Sequence, residues 1–95
     1  MGPLVAQRHE PLTGRETAPD LEARLAGIAA DLLLDTLGAW LRSEITPQAQ
    51  PVEGASLTRR LTREDGRLDL ERSAVELERE VRAHQPWPGS FVDTS

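Results

Sequence analysis

A chain of 95 residues allows at most one small domain, since domains usually run to about 100–200 residues, and a short chain buries a smaller share of its surface than a long one. With 38% hydrophobic and 28% charged residues, the composition excludes collagen, mucin-like stalks and wholesale disorder; the only aromatics are Trp40, Trp87 and Phe91, so a core would be mostly Leu and Ala. A net charge of -5 argues against a dedicated nucleic-acid binder, and the absence of cysteine excludes disulfides, a thiolate zinc site and a Cys nucleophile.

Residues 2–8 are β-prone and predict a short N-terminal strand, which Pro3 confines to an edge. Pro11, Thr13 and Gly14 then mark a turn. Thr17 is a candidate N-cap, Pro19 suits a first helical turn, and Asp20 complements the helix dipole. The long helix that follows is predicted over about 18–42. One apolar row holds Leu21, Leu25, Ile28 and Leu32, and a second holds Leu33, Leu37 and Trp40. Together they make a wide amphipathic face, while Glu22, Asp31, Asp35 and Arg42 stay outside. If nothing covers it, that face is expected to drive self-association.

Residues 43–56 contain Pro47, Pro51 and Gly54 and few large apolar side chains, so they predict an extended linker. A polar turn at 62–66 separates Leu61 from Leu68. Ser73 and Glu76 then form a capping box that opens a second, short helix over about 74–84, with Ala74, Leu77 and Val81 on its inner stripe. Pro86-Trp87-Pro88-Gly89 ends that helix and turns the chain into Ser90-Phe91-Val92, which has the look of a strand just beginning.

The charge is uneven. Residues 1–54 hold four Arg against eight acids, and 55–95 hold seven against eight. All eleven basic residues are Arg, and Arg59, Arg60, Arg63 and Arg67 stand close together. Arginine's planar fork suits phosphate or carboxylate; GC-rich coding produces the same usage. Arg67 also has Asp65 and Asp69 within pairing reach along the chain.

No residues converge on catalysis. His9 and His84 are far apart and lack metal-ligand spacing, and no HExxH, P-loop, GxGxxG or GxSxG is present. The sequence thus offers no catalytic, cofactor-binding or metal site. The N-terminus lacks the pattern of a signal peptide. The most apolar stretch, 25–34, is broken by Asp31 and falls far short of the about 20 residues a membrane helix needs. A cytoplasmic protein is expected.

One pattern is more specific. Leu57-Thr58-Arg59-Arg60-Leu61 is followed by Arg63-Glu64-Asp65-Gly66-Arg67-Leu68-Asp69-Leu70, then Ser73-Ala74 and Leu77, then Val81-Arg82-Ala83-His84-Gln85-Pro86-Trp87-Pro88-Gly89-Ser90-Phe91. This resembles the entry to the C-terminal domain of the methionyl-tRNA formyltransferase family, with Leu70 where that family carries Trp and Leu57 where an aromatic is common. Upstream, Gly2-Pro3-Leu4-Val5-Ala6-Gln7, the Glu16-Thr17-Ala18 helix start, and Pro47-Gln48 with Gln50-Pro51 are similar to the same family in the same order.

The resemblance implies an α/β, mainly α fragment: one N-terminal strand, a long amphipathic helix, an extended linker, a second short helix and the start of an OB-like barrel. Residues 1–43 would end a Rossmann-like formyltransferase domain, 44–56 would be the linker, and 57–95 would open the C-terminal domain. The implied activity is formyl transfer from 10-formyltetrahydrofolate to methionine on initiator tRNA. The family's catalytic residues have no counterpart in this sequence, so the chain reads as a middle piece, inactive alone and without a cofactor of its own. Arg59, Arg60, Arg63 and Arg67 are its candidate tRNA contacts. A related sugar-nucleotide or folate-dependent formyltransferase, or a non-catalytic helical interaction module, are the alternatives.

Overall fold

A computed structural model of the protein describes residues 2–94. Two α-helices dominate it, α1 (Ala18–Leu41) and α2 (Ala74–Ala83), with one 3₁₀ turn (Arg63–Gly66) between them in sequence. Both helices lie where apolar periodicity and capping predict them.

The ends of α1 explain its bounds. Thr17 and Asp20 cap its start reciprocally: the Asp20 N–H donates to Thr17 Oγ1 at 3.3 Å, and the Thr17 N–H donates to the Asp20 carboxylate at 3.1 Å. That satisfies donors a helix start otherwise leaves orphaned. At the other end Ser43 takes a positive φ of 57°. This lets the Ser43 N–H reach the Trp40 carbonyl (3.0 Å) and the Glu44 N–H reach the Ala39 carbonyl (2.9 Å), a Schellman closure built without glycine. In α2, Ser73 accepts from the Glu76 N–H at 3.2 Å as N-cap. Arg72 pairs with Glu76 and Glu80, and Arg82 with Glu78, so its exposed face is laced with ion pairs.

The chain divides into two compact units, residues 2–11 with 24–58, and 12–23 with 59–94. In the first, Leu4 and Gln48 exchange two backbone hydrogen bonds of 2.7 Å each. Arg8 lies 3.7 Å from Asp35, and Arg24 lies 3.4 Å from Glu10. In the second, Arg82 Nη1 donates to the Glu16 carbonyl at 2.7 Å, tying the last turn of α2 to the segment before α1. Residues 66–68 meet Phe91 through two more backbone bonds.

The expected α/β fold is overturned: the protein is mainly helical, and no strand forms among the described residues. The predicted N-terminal strand reduces to the single antiparallel bridge at Leu4, and the predicted start of an OB-like barrel reduces to a single parallel bridge between Arg67 and Phe91. The reason is pairing. A β-prone segment becomes a strand only when a partner supplies a continuous ladder. Gln48 sits between Pro47 and Pro51, and Pro3 has no N–H to give, so neither segment can extend its one bridge.

No hydrophobic side chain is buried among the described residues. In α1 the row Leu21, Ile28 and Leu32 is half-covered. The opposite row stays exposed: Leu33 at 59%, Leu34 at 76% and Leu41 at 73%. Apolar residues thus lie on two sides of α1, the pattern of a helix made for burial on both. No helix among the described residues is long and apolar enough to cross a membrane.

Candidate nucleic-acid interface

The four clustered arginines sit on and beside the 3₁₀ turn, and the structure sorts them into two kinds. Arg59 and Arg67 are engaged. Arg59 places both terminal nitrogens on the Asp65 carboxylate, at 2.8 and 2.6 Å. Arg67 binds Glu64 through two nitrogens and reaches Asp93 at 3.2 Å. Its guanidinium carbon also lies 4.9 Å from the centroid of the Phe91 ring, within cation–π range. Arg60 and Arg63 are exposed and form no ion pair among the described residues. The partners anticipated for Arg67 are corrected: it takes Glu64 and Asp93, while Asp65 belongs to Arg59.

Asp65 organises the turn. Besides Arg59, its carboxylate accepts from the Thr62 N–H at 2.6 Å and the Thr62 hydroxyl at 3.2 Å. Gly66, buried, follows directly and docks on the Pro-rich segment: the Phe91 N–H donates to the Gly66 carbonyl at 2.9 Å, and the Leu68 N–H to the Phe91 carbonyl at 2.8 Å. Arg63 stands at the edge of a cleft of about 330 Å³ lined by Pro88, Gly89, Ser90 and Phe91.

Asp65 is legible in the sequence only as an acid within pairing reach of the arginines; Thr62, Phe91 and Asp93 escape sequence reasoning as members of this arrangement. Thr62-x-x-Asp65 has the same spacing as the Ser73-x-x-Glu76 capping box, so a signal exists for the pairing of Thr62 with Asp65. Nothing local announces Asp93, which meets Arg67 across 26 positions. Among the described residues no group of three or more His, Cys, Asp or Glu is placed to hold a metal ion.

The pairing has an electrostatic signature. The Arg59 hydrogen bonds, followed by the Thr62 N–H, hold Asp65 well below the usual carboxylate range. The Arg67 hydrogen bond holds Glu64 below its ordinary value of 4.5. The Arg72 and Arg82 hydrogen bonds do the same for Glu76 and Glu78. The unfolded chain therefore takes up protons at a higher pH than the folded one does, and stability rises with pH across that window. The urea midpoint is expected to be nearly flat from pH 7 to about 5, where the four are largely ionised in both states, and to fall at lower pH as the unfolded chain takes up protons that the paired carboxylates of the folded chain still resist, down to the pH at which these protonate too. A midpoint unchanged down to about pH 3 would contradict these pairings.

Comparison with known proteins bears on the same segment. Residues 60–95 match the family described as formyl transferase, C-terminal domain. The chain is 45% identical over 89 residues to methionyl-tRNA formyltransferase from Roseiflexus sp. (strain RS-1), covering 94% of this chain and 27% of that protein. It is 40% identical over 91 residues to methionyl-tRNA formyltransferase from Myxococcus xanthus (strain DK1622), covering 96% of this chain and 29% of that one. For the enzyme of that name from Halorhodospira halophila (strain DSM 244 / SL1), identity is 43% over 89 residues, covering 94% and 29%. The chain thus spans 27–29% of the length of these relatives. The turn at 62–66 and the Pro-Trp-Pro-Gly segment it docks on both fall inside the family match, and with relatives aligned along nearly all of the chain, the protein belongs to the methionyl-tRNA formyltransferase family.

Proposed function

We propose that the chain serves formyl transfer from 10-formyltetrahydrofolate to the methionine of initiator methionyl-tRNA, in the cytoplasm, as an RNA-contacting part of that machinery. Arg59, Arg60, Arg63 and Arg67 form the RNA-facing cluster, and the observation that carries this reading is that Arg60 and Arg63 have no ion-pair partner among the described residues. Unpaired guanidiniums on an ordered turn are what phosphate recognition requires. No residue of this chain is assigned to catalysis or to the folate, and the chain alone is expected to leave methionine unformylated. In this reading residues 1–43 close a formyltransferase domain, 44–56 link, and 57–95 open the C-terminal domain.

The test is binding of initiator methionyl-tRNA at three or more salt concentrations. Each phosphate contact contributes about 0.7 (single strand) to 0.9 (duplex) to the slope of log affinity against log salt. Arg60→Ala with Arg63→Ala is therefore expected to weaken binding and to lower the slope by about 1.4–1.8. An unaltered slope rejects the phosphate role.

A second proposal concerns assembly. The exposed row of α1, from Leu33 to Leu41, supports association of the chain with a second copy of itself.

A further inference from the structure

An acid at the centre of an RNA-facing arginine cluster is, on charge alone, a liability. Asp65 occupies that place, within six positions of all four arginines. Its side chain is 19% exposed, whereas Arg59 is 70% exposed. Two hydrogen bonds from Arg59 and two from Thr62 reach its carboxylate. Three of these bonds end on Oδ2 and one on Oδ1, so most of the about four acceptor sites of the carboxylate are taken up within the chain. What these bonds do is fix the path of the chain. Thr62 lies between Arg60 and Arg63, and Asp65 grips Thr62 on one side and Arg59 on the other. The residues that flank both unpaired guanidiniums are thereby held to one anchor.

We infer that Asp65 is a positioning residue for polyanion recognition, holding the turn so that Arg60 and Arg63 are presented together, without touching the RNA itself. This rests on the RNA-contacting reading proposed above. The geometry gives the idea a distinctive sign. If Asp65 mattered only as a charge, its removal would tighten RNA binding, because one repulsion disappears and Arg59 is released. If it positions the two arginines, its removal weakens binding, because each side chain must then be ordered at the moment of association.

The experiment measures initiator tRNA binding to the full chain at several salt concentrations, with helix content checked by circular dichroism. Asp65→Ala is expected to weaken binding about five- to tenfold despite removing a negative charge. Asp65→Glu keeps the capping-box chemistry and is expected to restore most of the loss. Thr62→Val is charge-neutral and removes one of the four bonds. It is expected to weaken binding about two- to threefold with the salt slope unchanged, which keeps the test alive if Asp65→Ala loosens the whole turn. Glu71→Ala removes an equal charge six positions away and is expected to leave binding unchanged or tighter. Asp65→Ala binding as well as Glu71→Ala, or better, overturns the inference, and so does a Thr62→Val variant that binds like the parent. The two readings fail separately. If Arg60→Ala with Arg63→Ala changes neither affinity nor slope, the interface reading is wrong; if that variant weakens binding and Asp65→Ala does not, only the positioning role is wrong.

Discussion

Replacing Gly66 by Ala is expected to undo the docking of the 3₁₀ turn on the Pro-rich segment, the largest effect of any single substitution in this half of the chain. Gly66 is the one buried residue among those described. A Cβ there would meet the Gly89 carbonyl oxygen well inside 3.0 Å, with the Gly89 carbonyl carbon at 3.1 Å and Pro88 Cγ at 3.6 Å. The obstacle is backbone, so no side chain can swing aside, and the two segments must part. Parting them breaks the Phe91-to-Gly66 and Leu68-to-Phe91 hydrogen bonds and carries Phe91 away from the Arg67 guanidinium. Overpacking alone costs about 1–3 kcal/mol, and each lost hydrogen bond adds about 0.5–1.5 kcal/mol. Gly89 makes the useful comparison. Its φ is 76° but nothing lies within 4 Å of an added Cβ, so Gly89→Ala brings only the left-handed strain of about 1–2 kcal/mol. Amide exchange separates the cases: protection of the Leu68 and Phe91 N–H groups should vanish in Gly66→Ala and persist, reduced, in Gly89→Ala. Undiminished protection in Gly66→Ala would sink the close-approach argument.

Features set by near neighbours along the chain are legible in the amino-acid sequence. Apolar spacing and the Thr17 and Ser73 caps announce α1 and α2, because a helix satisfies its backbone within itself. The strand expected at 2–8 fails for the converse reason. Val5 and Leu4 have the propensity, but a strand depends on a continuous backbone partner beside it, and among the described residues the segment makes a single backbone bridge, to Gln48. The end of α1 shows a third case. Ser43 adopts the left-handed conformation usually given to glycine, so no residue-type signal marks the closure that its hydrogen bonds make. In the candidate interface the arginines themselves are visible as a cluster, but their division into paired and unpaired is not. Arg60 and Arg67 are the same residue type seven positions apart. What separates them is Glu64, three positions before Arg67, together with Phe91 and Asp93, which return beside Arg67; the last two are a consequence of tertiary folding that local pattern does not encode.

The last expectation concerns the exposed side of α1. At 100° per residue, Ala23, Ala26, Gly27, Ala30, Leu33, Leu34, Leu37 and Leu41 fall on one uncharged stripe, roughly 27 Å long at 1.5 Å per residue. Its first half is small and its second half large. Two copies laid antiparallel set the leucines of each against the alanines and glycine of the other, the self-complementarity that a two-fold interface requires. Each fully buried Leu contributes about 1.5–3 kcal/mol, and association costs about 4–15 kcal/mol. The balance predicts a weak assembly, with a dissociation constant on the order of micromolar to millimolar. Sedimentation equilibrium over a wide loading range should therefore show mass rising with concentration. Leu34→Glu with Leu41→Glu puts charges at the two leucines that are 76% and 73% exposed; neither side chain is packed within the chain, so the helix should survive while the association disappears. A parent chain that stays monomeric at millimolar concentration, or a double variant that associates as the parent does, would rule out this face as the contact.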